Sequence, residues 1–476
     1  MSRLQLLVDI DLLPVVLLHI RSRHDLLSLA LTCRCFKDII IPDALFSHIR
    51  LMSVTRTHNL STEGTSESFR QLIMEADTRY ADAVRWAEIS GSTKFDVRDE
   101  WRDIFKQRMK NLHTLALRVS NVIFDLSIYV LDQTRLRYLT VEICEGSALA
   151  AVQDLSNLHG LSLGFWSAYQ LTPDSPLGKI LFNLRGTLKA LSLHDVVWQL
   201  HPTSSTQARS ESEFAWPHVR ELHLRITNPE ESLSPDLARV FPSVRSFYLP
   251  APSPRAGHTT HVVHDAFFVS RLESLRGKWS DIKFAVDAGA RLRRAVVLLV
   301  DQDFTVPLES YLVPSLESLT LKCERSLRQY PLGRLSVVVP GLTFLRLRFA
   351  VTSSISLAEA LEWILDSISS LPLKYIRISC NLLGATNFEG RTNTPDAKIE
   401  GYVKSFAETA STSCPSLRAF CAEWSNGRLD WHRSISEHGA VGFCHVHKED
   451  GMADEMWYDW GETRDFIPWN AGVTGG

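Results

Sequence analysis

One frame, L-x-x-L-x-L, returns along most of this chain. It stands as Leu112, Leu115 and Leu117, and again as Leu136, Leu139 and Val141. Further copies open at Leu158, Leu188, Val219, Val244, Leu272, Leu292, Leu316, Leu342 and Leu373, with Val84 the first and Leu417 the last. Starts fall mostly 20 to 31 residues apart. Alternation puts the fourth and sixth residues of the frame on one face of a short strand. Such a strand buries little by itself, so copies must stack and share a core. Pro217, Pro242, Pro314, Pro340 and Pro415 each stand two residues ahead of a copy and turn the chain into it.

Helices fill some of the gaps. Leu357, Ala360, Leu361, Ile364, Leu365 and Ile368 form one apolar stripe at helical spacing, and Ile399, Tyr402, Val403, Phe406 and Ala407 form another. Strand, helix, strand at this interval predicts an α/β fold with a parallel sheet, wound as a solenoid. The pattern resembles leucine-rich repeats in an irregular form, and Leu373 to Leu383 keeps the full consensus with Asn381 at the asparagine position. The polar stretches 201–212 and 250–258 read as loops between repeats, and 59–68 as a short linker.

Composition narrows the function. The 476 residues are 45% apolar and 22% charged, which excludes wholesale disorder. Fifty-one basic residues face 54 acidic ones, so no nucleic-acid or membrane-surface partner is expected. The longest apolar runs, such as Ala295 to Val300, fall far short of the ~20 residues that span a bilayer. Arg3, Asp9 and Asp11 interrupt the leucine-rich start, which therefore reads as no signal peptide. Eight irregularly spaced cysteines suit a reducing compartment, cytoplasmic or nuclear.

The first fifty residues form a separate unit. Leu13-Pro14 opens LPVVLLHI, with Pro14 suited to a first helical position. A second helix is predicted over 25–32 and a third over 34–41, where Pro42 stops it. In the second helix Leu26, Leu29, Ala30 and Cys33 share one face while Leu27 and Leu31 occupy another. A unit of about 40 residues cannot cover two apolar faces alone. One face must pack internally, and the other needs the rest of the chain or a second protein.

LPVVLLHI followed by DLLSLALTCRCFKDIIIPDALFSHIRL resembles the F-box, especially that of fungal F-box proteins. The leading Leu-Pro, the Asp-Leu-Leu, the Leu-Thr-Cys-Arg and the following Phe carry the likeness. The resemblance implies a three-helix motif that docks on a Skp-family adaptor within a cullin–RING ubiquitin ligase. It assigns Leu13, Pro14, Leu17, Ile20, Leu26, Leu27, Cys33 and Phe36 to the adaptor interface. The implied organisation is an F-box-like motif at 8–50, a helical linker at 51–83, an irregular leucine-rich-repeat array at 84–422 and a Trp-rich C-terminal cap at 423–476.

No phosphate-binding glycine loop, H-E-x-x-H, G-x-S-x-G or C-x-x-C motif is present. His258, His261 and His264 form one histidine group. Cys444, His445 and His447, with Cys421, His432 and His438 upstream, form another. Neither has the paired spacing of a zinc site, so no metal and no cofactor is expected. Trp424, Trp431, Trp457, Trp460 and Trp469 read as a cap over the last repeat.

The third, fifth and seventh residues of the frame point away from the leucines. Across five successive copies these include Arg276, Lys278, Arg294, Lys322, Arg346, Arg348 and Arg377, accompanied by Phe344 and Tyr375. No acid holds those positions there. Such a stripe, concave in a leucine-rich repeat, suits an acidic or phosphorylated partner. The expected function is therefore non-catalytic: a substrate-recognition subunit whose N-terminal helices hold the adaptor while the array holds a protein substrate. A repeat scaffold unrelated to ubiquitin is one alternative, and a metal-dependent enzyme using the His/Cys groups is another.

Overall fold

The computed structural model describes residues 23–41, 46–53, 71, 73–74, 79–91, 104–119, 123, 125–131, 133–200, 214–225, 236–248, 265–299, 307–323, 331–351, 357–382, 396–424, 427–435 and 441–446. The chain divides into two units, Met1–Val244 and Arg245–Gly476. Both are mixed α/β, and both are built on the frame found in the sequence.

Each frame becomes a strand that starts two residues after its first apolar position. In the N-terminal unit these are β2 (Trp86–Gly91), β3 (Thr114–Val119), β4 (Tyr138–Cys144), β5 (Gly160–Leu171), β6 (Ala190–Trp198) and β7 (Glu221–Arg225). One strand precedes them, β1 (His48–Ser53), which pairs in parallel with β2. Parallel pairing thus begins at His48, inside the stretch assigned to the F-box-like motif. The remaining neighbours also pair in parallel.

The C-terminal unit repeats the arrangement. It holds β8 (Ser246–Tyr248), β9 (Ser274–Lys278), β10 (Arg294–Leu299), β11 (Ser318–Cys323), β12 (Phe344–Val351), β13 (Tyr375–Leu382) and β14 (Ala419–Trp424), each parallel to the next. The pattern then changes. β15 (Gly427–Ile435) and β16 (Val441–Val446) turn back antiparallel.

The register comes from the second frame residue. The carbonyl of His113 accepts from the amides of Arg137 at 2.8 Å and Tyr138 at 3.0 Å. The carbonyl of Glu317 does the same for Thr343 and Phe344, at 2.9 and 3.0 Å. Every copy therefore enters the sheet at the same height, and the leucines align into rows. Leu115, Leu139, Leu161, Leu191 and Leu222 form one such row, all buried. Leu319, Leu345 and Ile376 form its counterpart in the second unit. Each fully buried leucine contributes roughly 1.5–3 kcal/mol before entropy is charged against it.

Helices cover the leucine rows. Phe406, on the helix Asp396–Ser413, lies 4.9 Å from the ring of Phe420 in β14, and Phe268 lies 5.2 Å from Phe247 in β8. The helix Leu357–Ile368 buries Leu357, Leu361, Ile364, Leu365 and Ile368, five of the six stripe positions. In the first unit, Trp198, Trp216 and Phe241 pack ring on ring, and Trp216 Nε1 donates to the carbonyl of Leu181 at 2.8 Å. At Gly164 a Cβ would lie 2.1 Å from the carbonyl oxygen of Glu142, so only glycine fits there.

Of the five tryptophans read as a cap, Trp431 in β15 is buried and stacks on Phe420 at 5.1 Å, and Trp424 at the end of β14 is buried. Trp457, Trp460 and Trp469 lie outside the described residues.

Candidate functional site

Two surfaces concern the predicted site residues. The first is N-terminal. α1 (Arg23–Thr32) and α2 (Arg34–Ile40) meet at Cys33, whose Sγ accepts from the Phe36 amide at 3.4 Å and caps α2. The predicted helix boundaries hold to within two residues. α1 is two-sided: Leu26 and Ala30 are buried, while Leu27 is 44% and Leu31 72% exposed. Leu26 is thus covered within the chain, which corrects its assignment to an intermolecular face. Leu31 joins Leu27 on the open face and was not among the predicted contacts. Cys33 and Phe36 are half-buried. Leu13, Pro14, Leu17 and Ile20 lie outside the described residues.

The second surface is the face of the C-terminal sheet that points away from the leucine rows. Register places the predicted cations on it in three rungs. Arg294 aligns with Ser318, Phe344 and Tyr375. Arg276 aligns with Val296, Thr320, Arg346 and Arg377. Lys278 aligns with Leu298, Lys322, Arg348 and Ser379. One parity over five strands, β9 to β13, thus gathers every predicted substrate-binding residue on one face.

Burial of this face departs from expectation. Phe344 and Tyr375 are each 1% exposed, stacked at 5.2 Å with their planes 2° apart, and pack with Ala419 and Cys421. As predicted contacts they are corrected: they form a small second core, with no open ring face. Arg346 and Arg377 are buried too, at 9 and 5%. Arg276 lies over the ring of Tyr248 at 3.7 Å.

The next strand brings an acid that the sequence reading stopped short of. Glu423 of β14 aligns with Ser379 and accepts from Arg377 at 2.6 Å and from the Ser379 hydroxyl at 3.1 Å. Burial pushes its carboxyl up, but Arg377 and those hydrogen bonds outweigh it and hold the group below its ordinary value. Asp430 of β15, fully buried, accepts from Arg428 at 2.7 and 2.8 Å. Among the described strand residues the face carries eight cations against two carboxylates. Lys322 sits in the middle. Burial, then Arg276, Arg346, Arg348 and Arg377, push its ammonium down to about 7. Burial is the larger cause and the neighbouring cations add to it, and an anion placed there would oppose both.

A third cluster, on the corresponding face of the first unit, went unread in the sequence. The Ser192 hydroxyl lies 3.1 Å from His194 Nε2 and 3.1 Å from His223 Nδ1, with the two rings 4.4 Å apart. Burial, and then Arg225, push His194 down to about 4. Its signal was available, since His194 and His223 share the parity of the cationic stripe in the second unit.

The histidine and cysteine groups stand as follows. His258, His261, His264, His438 and His447 lie outside the described residues. Cys421 is buried, Cys444 and His445 are exposed, and Cys444 Sγ donates to the His432 carbonyl at 3.5 Å. Among the described residues no three His, Cys, Asp or Glu side chains are placed to hold a metal ion. Among them, too, no helix is long and apolar enough to cross a membrane. No protein-family model and no curated protein matches the chain.

Proposed function

We propose that this chain is a non-catalytic docking protein, the substrate-recognition subunit of a cullin–RING ubiquitin ligase. The open face of α1 takes a Skp-family adaptor. The array, read as irregular leucine-rich repeats, takes a protein substrate on the cationic face of its C-terminal unit. A conjugating enzyme held elsewhere in the assembly performs the transfer, and this chain contributes proximity by raising the local concentration of a target lysine.

The observation that carries the reading is the two-sidedness of α1. Its inner face is closed by Leu26 and Ala30, and its outer face presents Leu27 and Leu31 to water. Two leucines a helical turn apart on an exposed face suit a helix-in-groove contact. The resemblance of the surrounding residues to the F-box names the class of partner. Support for the second surface comes from the excess of cations over carboxylates among the described strand residues of that face, which suits an acidic or phosphorylated segment.

Capture of purified Skp-family adaptor by the full chain at low salt tests the first surface. Binding is the expected result, and its absence from wild type would return the chain to a repeat scaffold. For the second surface, Arg346→Glu with Arg348→Glu should weaken substrate capture and its salt dependence. Unchanged capture eliminates the face.

A further inference from the structure

The second frame residue does more in the first unit than set the register. From β2 to β7 it is Arg85, His113, Arg137, His159, Lys189 and Arg220. The carbonyl of each of the first five accepts from the amide of the next, at 2.7 to 2.8 Å. The six therefore stand in single file across the strand entries. At ~4.8 Å per strand the file is roughly 24 Å long. His113, Lys189 and Arg220 are exposed, and Arg85, Arg137 and His159 are half-buried.

The second unit fills the same position differently. There the row opens Arg245, Glu273, Arg293, Glu317, so the signs alternate; Arg245 pairs with Glu273 at 3.9 Å and Arg293 with Glu317 at 2.8 Å. The row of the first unit holds four cations, two imidazoles and no acid. Among the described residues, the ion pairs of that unit, Arg118–Glu88, Arg225–Asp195 and Arg239–Asp236, leave all six out. They also leave out Asp82 and Asp154, on the turns that lead into the row. Arg85 and Arg137 donate to backbone carbonyls, those of Asp82, Leu136 and Asn157. Burial, then Arg85, Arg137 and Arg135, push His113 below its ordinary value, and burial, then Lys189 and Arg137, do the same to His159. Like charges on neighbouring strands repel, and nothing described in this unit offsets them.

We propose that this row is a docking surface for an extended acidic segment of a partner protein, laid across the strand entries of the first unit with its carboxylates against Arg85, Arg137, Lys189 and Arg220. The surface is separate from both surfaces of the proposed function and stands or falls without them. Length fits the occupant: an extended chain covers ~3.3 Å per residue, so about eight residues span the file. Guanidiniums and an ammonium in line suit carboxylates. A single-stranded nucleic acid fits less well, because it calls for aromatic rings under successive bases. The places beside the row hold Trp86 and Tyr138, two strands apart, with Thr114 between them and Gly160 and Ala190 beyond.

The test compares the full chain with a full-length Lys189→Glu, Arg220→Glu variant. Both side chains are exposed, so the fold should survive the change, and a thermal melt checks it. The probe is a fluorescent octaglutamate peptide, read by anisotropy at low salt. The inference predicts binding by wild type and about tenfold weaker binding by the variant. No binding by wild type, or a variant within twofold of it, overturns the inference. Zero-length carbodiimide crosslinking of the peptide to the wild-type chain then locates the contact. A crosslink at Lys189 supports the row. Crosslinks at Lys278 or Lys322 with none at Lys189 overturn it and move the peptide to the C-terminal face. A nonathymidylate carrying the same eight charges is the rival probe, and tighter binding of it than of the peptide overturns the assignment to an acidic protein segment.

Discussion

The double change Leu27→Gln with Leu31→Gln separates docking from folding at the N-terminus. Both side chains lie on the open face of α1, 44 and 72% exposed. Glutamine is as good a helix former as leucine, so the helix keeps its propensity. An exposed substitution that breaks no contact shifts folding by no more than ~0.5 kcal/mol. The effect on an adaptor is larger. Full burial of one leucine is worth roughly 1.5–3 kcal/mol, and the two exposed fractions together make slightly more than one leucine. Affinity for a Skp-family adaptor should thus fall by ~2–3 kcal/mol, about 30- to 150-fold. Biolayer interferometry against immobilised adaptor measures the loss, and a urea melt on the same samples checks the fold. Leu26→Ala is the counter-experiment: this side chain is buried, so the change should cost roughly 2–5 kcal/mol of local stability. An affinity within twofold of wild type for the exposed pair, or a loss tracking unfolding, would refute the assignment of that face.

Three further outcomes follow from the packing and electrostatics. His194 is held neutral in the fold at about 4 against ~6.5 when unfolded, so the unfolded chain binds the extra proton between those values; the first unit should lose up to ~2 kcal/mol as pH falls from 6.5 to 4, and His194→Asn should flatten that slope in pH-dependent melts. Trp431→Ala removes the ring stacked on Phe420 and should destabilise the C-terminal unit by roughly 3–5 kcal/mol, seen as accelerated amide exchange beginning in β14. Gly164→Ala drives a Cβ into the Glu142 carbonyl and should destabilise the first unit, whereas Gly186→Ala, with open space around it, should be neutral; equal melting of the two variants would refute that account.

Much of the fold was legible because the frame has a simple physical basis. Each copy from Val84 to Leu417 became a strand, since burial of its fourth and sixth residues against helices sets both the direction and the register. β1 was missed although Phe46, Ile49 and Leu51 keep the same spacing, because an aromatic opens the copy and the F-box likeness claimed the stretch. The antiparallel β15 and β16 carry no frame, for they end the stack and do not continue it.

The candidate surfaces were legible in part. Parity placed the cations on one face from sequence alone. It was silent on burial, because whether Phe344 and Tyr375 are covered depends on residues distant in the chain. Carrying the parity one copy further would have found Glu423. For α1 the apolar residues ring the helix, so periodicity could not decide whether Leu26 or Leu27 faces inward; in the fold α1 packs on α2, and Leu26 is the one covered.

The most direct measurement of the central claim is hydrogen exchange on the full chain with and without saturating Skp-family adaptor. The account predicts slowed exchange in α1 and α2, with β9 to β14 unchanged. Protection confined to the strands, or none in 23–40 at saturation, would contradict it.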